Sequence, residues 1–286
     1  DQETKFTYVD QNIAESLYQP RSKFAHKTDF GRVLLMTGSW GKMGAATLCA
    51  KAAVRSGAGL VTAHVPKCGY AILQTAIPEA MASTDHLEEQ ISGFPNIQPF
   101  DTIGIGPGLG THGTTRTMLL QLFSNYKKPM VIDADALNII SQEKSLLRLL
   151  PENSILTPHP GEFRRIAGPW KDDFERLDLQ IALSVKHKIY IVLKGAHTSI
   201  STPRGKVFFN STGNPGMATG GSGDVLTGII TAMLGQKYSP EHAAILGVFL
   251  HGLAADIAVG FVGEESLCAS DIIDYLPQAF MDLKRI

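Results

Sequence analysis

The sequence is poor in cysteine and in charge, and each shortage closes off a class of protein. Its three cysteines, Cys49, Cys68 and Cys268, are odd in number and far apart. That spacing excludes a disulfide framework or a paired-cysteine zinc site and predicts reduced thiols in a cytoplasmic setting. Charged residues make up 19% of the chain, 26 basic against 27 acidic, for a formal charge of -1. No global field recruits nucleic acid or an anionic membrane, so neither is expected as a partner, and any anionic ligand must be held locally. No apolar run approaches the roughly 18 to 20 residues that would span a bilayer, and the first residues are polar with no signal-peptide pattern. A first residue other than Met leaves room for a longer protein upstream. With no internal repeat and no low-complexity linker, residues 1–286 are read as one domain.

What the chain does have is apolar residues, at 44%, and 28 glycines, enough for a sizeable core with many tight turns. Short apolar runs read as buried strands at 32–37, 60–65, 102–105, 130–132, 154–156 and 189–193. Helical patterns fall between or after them at 45–56, 114–123, 161–167, 173–187, 224–234, 242–259 and 270–283. Such alternation predicts an α/β fold with a central, mostly parallel sheet covered on both faces. Thr198–Ser201 and Lys206–Asn210, joined by a Pro-Arg-Gly turn, read as a hairpin on the sheet edge. Ligands of such sheets bind beyond the carboxyl ends of the strands, and chemistry is expected there.

The densest signal is Asn214-Pro-Gly-Met-Ala-Thr-Gly-Gly-Ser-Gly-Asp224, which runs straight into an apolar helix. Glycines let backbone N–H groups crowd round an anion, and the helix N-terminus adds about half a positive charge aimed at it. Asp224 beside a transferring phosphoryl group can accept the proton of an attacking hydroxyl. The plainer alternative is that Asp224 only caps the helix. Lys194-Gly195-Ala196-His197-Thr198 leaves a strand and can take a nucleotide against its backbone, or can be an ordinary turn. Thr157-Pro-His159-Pro-Gly-Glu162 leaves another strand on a loop stiffened by two prolines, which brings His159 and Glu162 to the ligand side. Asp133-Ala-Asp135-Ala-Leu-Asn138 ends a strand with oxygens that suit Mg²⁺ held largely through water, and suit helix capping equally.

Two nucleotide motifs are excluded. The glycines of Gly104-Ile-Gly106-Pro-Gly108-Leu-Gly110 alternate and do not fit the dinucleotide fingerprint, and Met43 follows Lys42 where a P-loop needs Ser or Thr.

Taken in order, these segments resemble the NAD(P)H-hydrate dehydratase family of the ribokinase-like superfamily. The likeness begins near Pro20-Arg21 and includes Gly44-Ala45-Ala46, Arg55-Ser-Gly-Ala-Gly-Leu60 and Gly106-Pro-Gly108. It continues through the Asp133, His159 and Lys194 segments and ends at Gly220-Gly-Ser-Gly-Asp224. The resemblance implies a ribokinase-like three-layer sandwich that phosphorylates the C6 hydroxyl of hydrated NADH or NADPH from ATP or ADP, with Mg²⁺, and then expels phosphate. It implies Asp224 as the base and the amides of Gly220, Gly221, Ser222 and Gly223 as an anion hole, one such donor being worth roughly 3 kcal/mol. Lys194, Gly195, Ala196, His197, Thr198 and Gly223 would contact the adenine nucleotide. Ala46, Gly108, His159 and Asp224 would line the hydrate site, with Ala45 as the alternative to Ala46. Glu162 and Asp133 are the metal candidates. The family further implies a homo-oligomer, commonly a tetramer, and an NAD(P)H-hydrate epimerase, fused or separate. The rival reading is a ribokinase-like kinase of a vitamin precursor or sugar, which shares the glycine cradle and stops at the phosphorylated product.

Overall fold

A computed structural model describes residues 4–284. Ten strands form one sheet. They are β1 Phe6–Val9, β2 Arg32–Met36, β3 Leu60–Val65, β4 Met81–Thr84, β5 Thr102–Ile105, β6 Val131–Ile132, β7 Ile155–Leu156, β8 Tyr190–Leu193, β9 Ser199–Ser201 and β10 Val207–Asn210. Their order is β1-β10-β9-β8-β7-β6-β5-β2-β3-β4, and every pairing is parallel except the two made by β9. The order reverses beside β2, whose neighbours are β3 and β5. That reversal opens a crevice at the carboxyl ends of β2 and β5.

Successive side chains of a strand point to opposite faces, so a strand buried on both sides must be apolar throughout. In β2, Val33 and Leu35 pack on one core, while Leu34 and Met36 pack on the other. One helical layer holds α1 Gln11–Leu17, α2 Met43–Arg55, α8 Ser222–Gly235, α9 Pro240–Val262 and α10 Ala269–Leu283, with α3 Tyr70–Ala76 beside α2. The opposite layer holds α4 Gly113–Asn125, α5 Ala134–Gln142, α6 Pro160–Ala167 and α7 Asp173–His187. The small residues of α2 let it lie close on α8. At the crossing, a Cβ on Gly228 would stand 2.2 Å from the Cys49 carbonyl oxygen.

Two expectations need correction. The hairpin of β9 and β10 is not at the sheet edge, because β1 pairs in parallel outside β10. Helix α9 has 23 residues and a mean hydropathy of 2.0 over its most apolar window, long and apolar enough by composition to cross a membrane. It is instead a core helix, with 61% of that window buried inside the fold. Its polar residues, His242, His251 and Asp256, had obscured the run in the sequence.

Gly228→Ala should push α2 from α8 and lower stability by about 3 kcal/mol, the upper range for overpacking. Denaturant unfolding measures this, and an unchanged midpoint would show that the helices are free to separate.

Candidate active site

The loops after β2 and β5 are tied together across the crevice. Gly38 N–H donates to the Pro107 carbonyl at 2.8 Å, and Ser39 Oγ donates to the Gly108 carbonyl at 2.7 Å. A Cβ on Gly108 would stand 3.0 Å from Ala45 Cβ and 2.8 Å from the Lys42 carbonyl oxygen. Gly108 therefore lies against the start of α2. Ala46 is fully buried in the core, whereas the half-buried Ala45 is the alanine that meets Gly108.

Directly after β6 and β8 stand Asp133 and Lys194, two strands apart in the sheet. Lys194 Nζ donates to Asp133 Oδ1 at 2.9 Å, and Thr227 Oγ1 of α8 donates to Asp133 Oδ2 at 2.8 Å. Asp133 is buried, its side chain 1% exposed, while that of Lys194 is 22% exposed. Burial acts to lower the Lys194 pKa, but Asp133, Glu162 and Asp224 outweigh it and raise the ammonium above its ordinary value. Asp133 occupies the N-cap position of α5, yet its carboxylate makes no capping bond there. Both of its oxygens are held by Lys194 and Thr227.

Helix α8 begins over this pair. Its N-cap is Gly221, in the left-handed region at φ 95, where a Cβ would also strike Leu48. No side chain caps the helix, so the first-turn amides of Gly223 and Asp224 have no intrahelical acceptor. A Cβ on Gly223 would lie 3.2 Å from Lys194 Nζ. Asp224 is not the cap but a residue of the first turn. It is half-buried, and its carboxylate makes no hydrogen bond among the described residues. Burial, then Asp133, push its pKa up to about 6 against the pull of Lys194.

The third wall is α6. His159 is its N-cap, and Nδ1 accepts from Gly161 N–H at 3.0 Å while the Glu162 carboxylate accepts from His159 N–H at 2.8 Å. That capping box assigns the ring proton to Nε2 and keeps the imidazole a donor. Burial, Lys194 and Arg165 hold its pKa below the ordinary value. Burial raises buried Glu162 to about 7.

The sequence profile of the NAD(P)H-hydrate dehydratase family matches residues 33–278. The chain belongs to this family. It is 40% identical over 277 residues to the bifunctional NAD(P)H-hydrate repair enzyme Nnr of Moorella thermoacetica, covering 92% of this chain and 52% of that protein. Against the same enzyme of Escherichia coli it is 38% identical over 283 residues, covering 96% and 52%. The chain thus spans about half the length of the curated relatives it matches. Among solved structures, the ADP/ATP-dependent NAD(P)H-hydrate dehydratase of Bacillus subtilis, co-crystallised with ATP and Mg²⁺, superposes with a TM-score of 0.84 at 28% identity, covering 97% of this chain and 99% of that one.

As a member of the dehydratase family, the chain brings most of its sequence-predicted residues to one crevice. Gly223, Lys194 and Asp133 meet directly, Asp224 follows Gly223 within the electrostatic reach of Asp133 and Lys194, and the charges of Lys194 and Asp133 act on His159 and Glu162 as well. Gly195, Ala196 and His197 form an exposed turn beyond Lys194, closed by Thr198 Oγ1 donating to the Gly195 carbonyl at 3.0 Å. Sequence reasoning missed the supports beneath. Thr227 holds Asp133, Ser222 Oγ lies 3.3 Å from His251 Nε2, and Asp256 accepts from Gly213 N–H at 2.8 Å. The only sequence signal for them is that each is polar on an otherwise apolar helix.

The sign of the Asp224 shift gives a stability prediction. Its folded pKa of about 6 lies above the ordinary 3.8, so its ionisation opposes folding, and the penalty grows as pH rises through that window. Asp224→Asn should raise the melting temperature by a few degrees near neutral pH and leave it unchanged at about pH 3. A lower melting temperature near neutral pH would contradict this.

Proposed function

We propose that this chain, as one dehydratase unit over residues 1–286, dehydrates the C6 hydrate of NADH or NADPH using ATP or ADP. The observation that carries the reading is the Asp224 carboxylate, free of hydrogen bonds among the described residues and pushed up to about 6, beside the uncapped amides that open α8. A group titrating there is ionised at neutral pH yet basic enough to take a proton from an alcohol in the transition state. Asp224 removes the proton of the C6 hydroxyl as its oxygen attacks the terminal phosphorus and the nucleotide leaves. The amides of Gly220, Gly221, Ser222 and Gly223 receive the charge on the phosphoryl oxygens. The ring-nitrogen lone pair then expels phosphate from C6, and loss of a C5 proton restores the reduced nicotinamide.

Gly108, with Ala45 or Ala46, and His159 line the hydrate. Lys194 through Thr198 and Gly223 take the adenine nucleotide, with the Lys194 ammonium fixed by Asp133 near its phosphates. Among the described residues no three His, Cys, Asp or Glu side chains form a ligand cage, so Mg²⁺ would be shared with the nucleotide phosphates and water, and a hard cation would favour the ionised forms of Glu162 and Asp224, which burial disfavours. Glu162 would hold it, with Asp133 acting through water since Lys194 and Thr227 occupy its oxygens. When bound, the ion neutralises phosphate charge. The names and length of the bifunctional relatives support an epimerase partner, fused or separate. A cytoplasmic homo-oligomer, a tetramer, completes the proposal.

Incubation with hydrated NADH and ATP should restore the absorbance of NADH; a phosphorylated product that accumulates instead would mark a kinase. Asp224→Asn should retain ATP binding and lose turnover by about three orders of magnitude or more. In the unsubstituted protein, activity should fall as pH drops below about 6. Full activity of the variant would remove Asp224 from the reaction.

A further inference from the structure

The Asp133–Asn138 segment carries more than the ion pair. On α5, Asp135, Asn138 and Gln142 are spaced three and four residues apart, so they share one stripe about 10 Å long. Each holds a cation from a different neighbour. Asp135 Oδ2 accepts from Lys42 Nζ at 3.1 Å, Asn138 Oδ1 from Arg165 Nη2 at 2.7 Å, and Gln142 Oε1 from Arg116 Nη2 at 2.8 Å. Asn138 Nδ2 donates to Asp135 Oδ1 at 3.1 Å, which makes the first two holders one network.

The stripe begins at the hydrate pocket. Asp135 Oδ2 also accepts from Gly110 N–H at 2.9 Å, and the Lys42 backbone packs on Gly108. Arg165 reaches the other wall, where its Nη1 would lie 3.8 Å from a Cβ on Gly161 and its charge acts on His159. Lys42 and Arg165 thus flank the two residues that line the hydrate. Two of the three holders are neutral amides, so the guanidinium charges of Arg165 and Arg116 are fixed in place but not cancelled. Lys42 and Arg165 are exposed, and the buried Nε of Arg116 has no hydrogen-bond partner among the described residues.

The geometry points to this strip as the subsite for the phosphates of the dinucleotide. With the hydrated ring against Gly108 and His159, the diphosphate one ribose away meets Lys42 and Arg165, and Arg116 extends the strip. Planar guanidiniums held in orientation suit phosphate oxygens, and an exposed anion subsite explains how a chain with no net field selects a dinucleotide. The inference rests on the hydrate-dehydratase reading and adds where its substrate is gripped.

The test is steady-state kinetics with two substrates, hydrated NADPH and the hydrate of reduced nicotinamide riboside, which has the same ring and ribose but no phosphate. Arg165→Met should raise KM for the dinucleotide hydrate about tenfold or more, the loss expected for hydrogen bonds to a charged group. Turnover number and KM for ATP should stay within about twofold, and Arg165→Lys should recover part of the affinity. KM for the riboside hydrate should hardly move, a split that general damage to α6 would not give. Equal losses on both substrates, or an unchanged KM for the dinucleotide, overturn the subsite alone. No turnover of either hydrate by the unsubstituted protein overturns the dehydratase reading, and the subsite with it.

Discussion

The structure of the site depends on one buried ion pair. Asp133 and Lys194 close the carboxyl ends of β6 and β8, and Thr227 joins the start of α8 to them. The Asp133 carboxylate, 1% exposed, is tolerated so deep because it is paired and hydrogen-bonded; without Lys194, which is itself partly exposed, it would be an uncompensated buried charge costing about 3 to 5 kcal/mol. The pair therefore fixes three elements at once, and the first turn of α8 lies directly over it. The same arrangement concentrates carboxylates around a single ammonium. Burial first, with Asp133 adding to it and Lys194 opposing it, holds Asp224 and Glu162 above their ordinary range.

The sheet order determines which loops reach this pair. The reversal at β2 and β5 opens the crevice where Gly108 meets α2, while β6, β7 and β8 deliver Asp133, His159 and Lys194 in sequence along one rim. Helix α9 then supports the glycine segment from behind. His251 stands against Ser222, and Asp256 holds both Gly213 and Asn214. Its apolar remainder anchors those polar groups in the core.

Much of this was legible in the sequence where a local signal was strong. The boundaries of β3, β5 and α7 follow the apolar runs and periodicity directly, and the glycines before α8 announce the left-handed turn at Gly221 that opens the helix. The strand β1 was not legible: Phe6 and Tyr8 are largely exposed at the sheet edge, and the pairing that makes it a strand is with residues about two hundred positions later. Helix α5 was hidden because Asp133, Asp135 and Asn138 read as ligands or caps, although Ala136, Leu137, Ile139 and Ile140 form its buried stripe. The choice between Ala45 and Ala46 turns on side-chain direction at the mouth of α2, which spacing alone does not give. Thr227, His251 and Asp256 acquire their roles only from partners distant in sequence.

The central claim is that the uncapped start of α8, seated on the Lys194–Asp133 pair, receives a transferring phosphoryl group. A crystal structure with a non-hydrolysable ATP analogue and Mg²⁺ tests it most directly. The account predicts the terminal phosphate within hydrogen-bond reach of the amides between Gly220 and Gly223, with the Asp224 carboxylate facing it across the hydrate pocket. A nucleotide whose phosphates lie away from that turn, with its amides left to solvent, would contradict the account.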